Sequence, residues 1–363
     1  MEQQNTQKTK VILIQETAMS YREPIYQLMN QKVDLTIGYI VDNQIKDPAI
    51  KVIKLPSFKL GPMIFPTKTY SILNNYDVVI LLPHFKYFWL SRIAFLPRKF
   101  RLVTWTIGLH VSYDCHYDLT RRPSWEDWIF EEIQDRADAC IFYMPEPIEY
   151  WKKYKKIDER KYFVAHNTVK VSPFDKISVY DNRKSFLFVG TLYKQKGIEE
   201  LIDAYKQANE KCQALPILNI IGKGPEKDLI EERIKELNLE KKIYLKGPIY
   251  DEEILKDYFF DARLCLSPKQ AGLSVLKSMG YGVPFVTRTD AITGGEKTNI
   301  THMENGLFYN SVEELSEILV DSVMEASKYS NMANNARSYY LQNASPELMA
   351  QGALDAISYA MKR

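Results

Sequence analysis

Residues 264–287, LCLSPKQAGLSVLKSMGYGVPFVT, constrain this chain more than any other stretch. A short apolar run (Leu264, Cys265, Leu266) ends at Ser267-Pro268. A loop with Gly272 follows, then a short helical segment from Leu273 to Met279, then Gly280 and Gly282. A second apolar run, Val283 to Val286, closes the stretch. The order is strand, loop, short helix, strand, the unit of an α/β sheet. In open sheets of this kind ligands sit outside the carboxyl ends of the strands. The first amides of a helix lack partners and lie at its positive end, so they suit anions. A negatively charged ligand near Lys269 to Ser274 is the first expectation.

A chain of 363 residues is too long for one ordinary core and predicts two domains. Hydrophobic content of 45% against 26% charge is that of a globular protein, and a net charge of +2 gives no general case for nucleic-acid binding. The 24 tyrosines leave room for sugar stacking or membrane-facing surface. Cys115, Cys140, Cys212 and Cys265 form no CxxC pair and no metal spacing, which fits free thiols in a reducing compartment. The opening MEQQNTQKTK lacks a signal peptide's apolar core, and no apolar run reaches the roughly 18 residues of a membrane span. A cytoplasmic protein is expected.

Apolar runs recur near residues 11–14, 35–41, 78–82, 101–106 and 139–143, with helical patterns between several of them. That alternation predicts a parallel sheet covered on both faces. No GxGxxG follows the first run, so a dinucleotide site at that turn is not expected. The loop after it carries Tyr21 and Arg22; Arg22 reads alternatively as a solvated cation at a helix start. Residues 85–101, FKYFWLSRIAFLPRKFR, interleave large apolar side chains with five cations and no acid, a pattern suited to an anionic membrane interface. Trp105 to His110 follows a strand, placing Gly108 and His110 at its carboxyl end. The polar 112–124 loop, with Asp114, His116, Asp118, Arg121 and Arg122, is long enough to be functional.

A polar segment with Pro173 reads as a linker. Beyond it, 185–189 is a strand followed by Gly190-Thr191-Leu192-Tyr193-Lys194-Gln195-Lys196-Gly197 and an amphipathic helix. Residues 218–222 form another strand, ending in Gly222-Lys223-Gly224-Pro225. Thr293-Gly294-Gly295-Glu296 and Asn305-Gly306 mark later turns. Ser345-Pro346 is an N-cap and first helical residue for a last helix.

Taken in order, these motifs resemble the family 4 glycosyltransferases, retaining enzymes of the GT-B fold. The match is strong over residues 185–309 and looser before that. The resemblance implies two Rossmann-like domains facing across a cleft: 1–178 on the acceptor side and 179–345 for the nucleotide-sugar donor, with 346–363 a helix returning to the first. It implies a sugar transferred to a lipid-linked or polysaccharide acceptor of the cell surface. It calls for no metal and no cofactor, the nucleotide sugar being substrate. Donor binding falls to Gly190, Thr191, Lys196, Lys223, Gly224, Lys269, Gln270, Ala271, Gly272, Leu273, Ser274, Lys277 and Glu296. Tyr21, Arg22, Gly108 and His110 fall on the acceptor side.

This chain departs from the family where chemistry is concentrated. Lys269 and Lys277 stand where the family has two Glu, and Thr191 where it has an Arg. A carboxylate only accepts hydrogen bonds and an ammonium only donates, so Lys277 cannot copy the family's ribose clamp. The expectation is that Lys196 and Lys269 flank the diphosphate, with Lys223 adding charge that Thr191 lacks. His110, Lys196 and Lys269 are the expected catalytic residues, and Glu296 a displaced carboxylate. The alternatives are a degenerate GT-B protein that binds a sugar or scaffolds partners, and a phosphorylase or epimerase of that fold.

Overall fold

A computed structural model describes residues 8–110, 117–176 and 178–363. Ser112, Asp114, Cys115 and His116 lie outside them. The chain divides into two compact units, 1–167 with 345–363, and 168–344. The division after Asn167 falls earlier than the expected 178. Residues 168–174 belong to the second unit because they bond within it. The Thr168 hydroxyl donates to the Ala344 carbonyl, Tyr340 donates to the Val169 carbonyl (2.8 Å), and the Ser172 amide donates to the Tyr281 hydroxyl (3.0 Å).

The first unit contains β1 (Lys10–Ala18), β2 (Asp34–Asn43), β3 (Lys51–Lys54), β4 (Ser57–Leu60), β5 (Met63–Pro66), β6 (Val78–Leu81), β7 (Arg101–Thr106), β8 (Ala139–Phe142) and β9 (Tyr162–Val164). Seven of them form a parallel sheet in the order β3-β2-β1-β6-β7-β8-β9, while β4 and β5 make a separate antiparallel hairpin. Strand residues alternate between two cores. Val11, Leu13, Val78 and Ile80 face one layer, and Ile12, Ile14, Val79 and Leu81 face the other. The last helix, Pro346–Met361, fills the first layer with Met349, Ala350, Ala353, Ala356, Ile357 and Ala360, one stripe at helical spacing. Its close approach depends on Gly352, where a Cβ would lie 2.1 Å from the Val164 carbonyl oxygen.

The second unit contains β10 (Ser185–Val189), β11 (Ile217–Ile221), β12 (Ile243–Gly247), β13 (Ala262–Leu266), β14 (Gln270–Ala271), β15 (Phe285–Arg288), β16 (Ile292–Thr293) and β17 (Gly306–Tyr309). Its six-stranded parallel sheet runs β12-β11-β10-β13-β15-β17, and β14 pairs with β16. Phe186 and Phe188 face one core, Leu187 and Cys265 the other.

Both sheets are doubly wound. The direction of winding reverses between β1 and β6 in the first unit and between β10 and β13 in the second. Ligand crevices in such sheets open at these reversals.

Candidate active site

In the second unit the loops leaving β10 and β11 interlock through their backbones. The Gly190 amide donates to the Ile221 carbonyl (3.0 Å), the Leu192 amide to the Lys223 carbonyl (2.9 Å), and the Glu226 amide to the Leu192 carbonyl (3.0 Å). Only glycine fits this contact. A Cβ on Gly222 would lie 1.8 Å from the Gly190 carbonyl oxygen, and one on Gly224 would lie 2.1 Å from that of Leu192. Thr191 is exposed at the tip of the loop.

The loop from β10 then makes a tight turn at Lys194–Lys196, and Gly197 (φ +66°) starts the helix Ile198–Lys211. The turn folds the Lys196 side chain back, with its Nζ 3.7 Å from the position a Cβ on Gly190 would take. Lys196 is only 8% exposed. Its ammonium makes no hydrogen bond or ion pair among the described residues, and the Tyr193 ring centroid lies 5.8 Å away. Burial pushes its pKa below the ordinary lysine range, opposed by Cys265 and Glu296. A buried cation without a counter-charge is costly in isolation and favourable once an anion joins it.

The loop leaving β13 lies directly alongside. The Lys269 amide donates to the Lys196 carbonyl (3.2 Å), and Tyr193 donates to the Gln270 side-chain carbonyl. Pairing of β14 with β16 then sets Ala271 opposite Thr293. Just beyond, Gly272 has open space where a Cβ would stand, and Leu273 precedes the short helix Ser274–Gly280. On the neighbouring loop, the Glu296 carboxylate accepts from the Gly294 amide (3.0 Å) and Thr293 hydroxyl (3.4 Å). Gly190, Thr191, Lys196, the backbone of Lys269, Gln270 to Ser274 and Glu296 therefore lie at the carboxyl ends of adjacent strands.

Three of the expected lysines are placed otherwise. Lys269 runs its stem across Gly197, where a Cβ would lie 2.7 Å from its Cγ, and its half-exposed ammonium pairs with Glu200 (3.6 Å). Glu200 also receives Arg288 (3.1 Å) and the Tyr309 hydroxyl (3.0 Å), so it anchors a network. Lys277 does not stand at the helix start. It lies in the last turn, pairing with Glu252 at 2.6 Å. Each of the two ammoniums thus has its own carboxylate. Lys223 is exposed, 5.8 Å from the Tyr250 ring centroid, so Gly224 serves the interlocked turn while Lys223 leaves it. Glu200, Arg288 and Tyr309 were not anticipated. A glutamate in a helix's first turn is ordinary, and nothing in the sequence marks its distant partners.

In the first unit, Arg22 is not a solvated cation. It is 8% exposed and donates to the Asn167 side-chain carbonyl (2.9 Å) and the Met349 sulfur (3.1 Å). It also lies near the rings of Tyr21 and Tyr143, with Tyr21 itself exposed. Gly108 (φ +87°) is a packing position. A Cβ there would strike Pro147 at 2.3 Å, and its carbonyl accepts from the Trp151 indole (3.0 Å). His110 follows, its amide donating to Asp127 (2.7 Å) and its ring 5.1 Å from that of Phe85.

Sequence reading missed the groups around His110. Glu16, near the end of β1, pairs with Lys86, whose amide donates to His84 Nδ1 (3.1 Å). Burial lowers the His84 pKa, Glu16 raises it, and His110 and Lys86 lower it further, so a neutral imidazole is favoured. Glu16 lies near the end of β1 and His84 just after β6, the strands at the winding reversal. That topology would have found them had the strand order been known.

Residues 172–339 match the family model for Glycosyl transferases group 1. The chain is similar to an uncharacterised glycosyltransferase of Methanocaldococcus jannaschii, 33% identical over 36% of this chain and 33% of that protein. It is also similar to a 2-deoxystreptamine N-acetyl-D-glucosaminyltransferase of Niallia circulans, 27% identical over 40% and 38%. The matched stretches thus span under two-fifths of these two relatives. Among solved structures, Anabaena HepE in complex with UDP-glucose superposes with a TM-score of 0.68, at 18% identity, over 96% of this chain and 99% of that one. WaaG, a glycosyltransferase involved in lipopolysaccharide biosynthesis, gives 0.62 at 14% identity, over 96% and 99%. These likenesses show the fold, which is GT-B.

Proposed function

We propose that this protein is a retaining glycosyltransferase that moves a sugar from a nucleotide-sugar donor to a lipid-linked or polysaccharide acceptor in cell-surface glycan biosynthesis. It works in the cytoplasm, peripherally at the inner face of the membrane. The observation that carries the reading is Lys196: a buried ammonium with no ion pair among the described residues, at the winding reversal of the second sheet. A diphosphate beside it supplies the missing charge. UDP in the HepE complexes makes uridine the first base to try.

Catalysis in this reading is electrostatic. Lys196 and the amides of Gly272 to Ser274 stabilise the departing diphosphate, and Glu296 accepts donor hydroxyls. Lys269 holds the loop and Glu200 in place instead of contacting phosphate. No metal is called on, and no protein nucleophile is assigned. His110, with Glu16 and His84, faces the acceptor.

Calorimetric titration with UDP tests the core of this proposal, and NMR of the anomeric configuration of product tests retention. Absence of UDP binding at millimolar concentration would favour the degenerate GT-B reading, which the neutralised Lys269 and Lys277 also suit.

A further inference from the structure

We propose that the first unit docks an anionic membrane lipid in the groove between the β4–β5 hairpin and residues 88–96, with the hydrocarbon chain along its aromatic wall and the phosphate at Lys68 and Arg92. This extends the peripheral-membrane part of the function proposed above and does not depend on the donor.

The hairpin is hydrogen-bonded to neither main sheet, and its outer strand β4 is exposed throughout. Large apolar side chains are nevertheless concentrated here: Phe58 is 55% exposed, Leu60 66% and Trp89 43%. Phe58 stacks on Phe65 with centroids 5.3 Å apart, and Phe65 meets Trp89 edge-on at 6.0 Å. These rings wall a groove of about 570 Å³ floored by Leu90 and Ile93. That volume lies within the roughly 300–1,000 Å³ of small-molecule sites.

Charge decides what covers it. Residues 48–76 contain four lysines and no acid, and residues 78–110 five cations and no acid. Lys51, Lys86, Arg98 and Arg101 are neutralised by Asp34, Glu16 and Asp138. Lys54, Lys59, Lys68, Arg92 and Lys99 have no ion pair among the described residues. Of these, Lys68 and Arg92 line the groove itself, and the Arg92 guanidinium lies 3.5 Å from the Trp89 ring centroid. Aromatic rings at headgroup depth beside uncompensated cations are what an anionic leaflet attracts. A neutral sugar or an apolar protein partner gives the cations no counter-charge. The segment 85–101 contributes only in part. It is broken into short turns at Phe85–Tyr87, Phe88–Ser91 and Arg92–Phe95, and its Arg98 is spent on Asp138 and the Arg136 carbonyl.

Co-sedimentation of the full chain with vesicles tests this, using phosphatidylcholine alone and phosphatidylcholine mixed with phosphatidylglycerol. Partitioning into the mixed vesicles should exceed that into neutral ones at least about tenfold. Phe58→Ser/Trp89→Ser and Lys68→Glu/Arg92→Glu should each remove most of that excess, whereas Met324→Ser, an exposed apolar change in the other unit, should not. Brominated acyl chains should quench tryptophan fluorescence in the wild type and much less in Trp89→Phe. Equal partitioning of wild type and both double variants, equal binding to the two vesicle types, or no binding to either would overturn the proposal. All variants alter exposed side chains and should melt like the wild type. Their UDP affinity should be unchanged, so a failure of donor binding and a failure of lipid docking are read separately.

Discussion

The carboxyl ends of the two sheets are held in different ways. In the second unit, main chain meets main chain: Gly222 on Gly190 and Gly224 on Leu192, with the Lys269 amide on the Lys196 carbonyl. In the first, side chains from far along the sequence do the holding. Asp127 caps the His110 amide, Trp151 reaches the Gly108 carbonyl, and Asn167 and Met349 take Arg22. A backbone socket demands glycine and leaves few solutions. A side-chain socket admits many, and its loops are freer to diverge.

The largest test sets one socket against the other. Asp127 is fully buried, receives Arg121, and forms a capping box with Ser124. Asp127→Ala removes the fully buried carboxylate that accepts from Arg121, the Ser124 amide and the His110 amide, and should cost about 3–5 kcal/mol in urea unfolding. Gly222→Ala must relieve a contact that no side-chain rotation can avoid, and about 3 kcal/mol or more is expected. Gly272→Ala, in open space, should stay within about 0.5 kcal/mol. If Gly222→Ala matched Gly272→Ala, the loops would be yielding and the interlock would not define the site.

This contrast explains what could be read in the sequence. Two α/β units and the turns at 190–197 and 222–225 follow from glycine spacing and apolar runs, because local backbone geometry writes itself into local sequence. Arg22 was legible only as a cation near a helix. Its burial depends on Asn167 and Met349, more than a hundred residues away. The pairing of Lys269 and Lys277 was hidden for the same reason. Their identities were plain, but Glu200 and Glu252, which neutralise them, come from other helices. Glu16 and His84 were missed because strand order, not sequence order, makes them neighbours.

The next test separates the two lysines of the second unit. Lys196 has no ion pair among the described residues, so Lys196→Ala should weaken UDP binding by about 1.5–3 kcal/mol, roughly tenfold to a hundredfold. Lys269→Ala removes a half-exposed pair with Glu200 and should change UDP affinity no more than about threefold. Titration of both variants decides it. A larger loss for Lys269 than for Lys196 would reverse the assignment of phosphate contact.

Buried charge in the first unit has a pH signature. Glu131 is 1% exposed, with Lys155 at 3.3 Å and the Tyr162 hydroxyl at 3.2 Å. Burial raises its pKa to about 7, with Lys155 opposing and Asp135 reinforcing. Between the ordinary carboxylate range and about 7, the folded chain holds a proton that the unfolded chain has released. On this account stability falls as pH rises through that window and levels off above it. Glu131→Gln should flatten that slope in denaturant midpoints measured from about pH 5 to about pH 8. An unchanged slope would mean that Glu131 is ionised throughout.

The smallest effect concerns Lys277, and its smallness is informative. The ammonium is largely covered, but its partner Glu252 is half exposed and can turn to water when the lysine is removed. Lys277→Ala should therefore cost no more than about 1 kcal/mol of stability. UDP affinity should be unaffected, since the side chain leaves from the last turn toward the Glu252 helix. Lys277→Glu puts a carboxylate at this position and is the sharper variant. Beside Glu252 it faces a like charge at close range, so it should be less stable than the alanine variant, with the gap narrowing in salt. Tighter UDP binding by Lys277→Glu would show that the helix can turn this position toward the donor. The pairing with Glu252 would then be one of two states and not the resting place of the side chain.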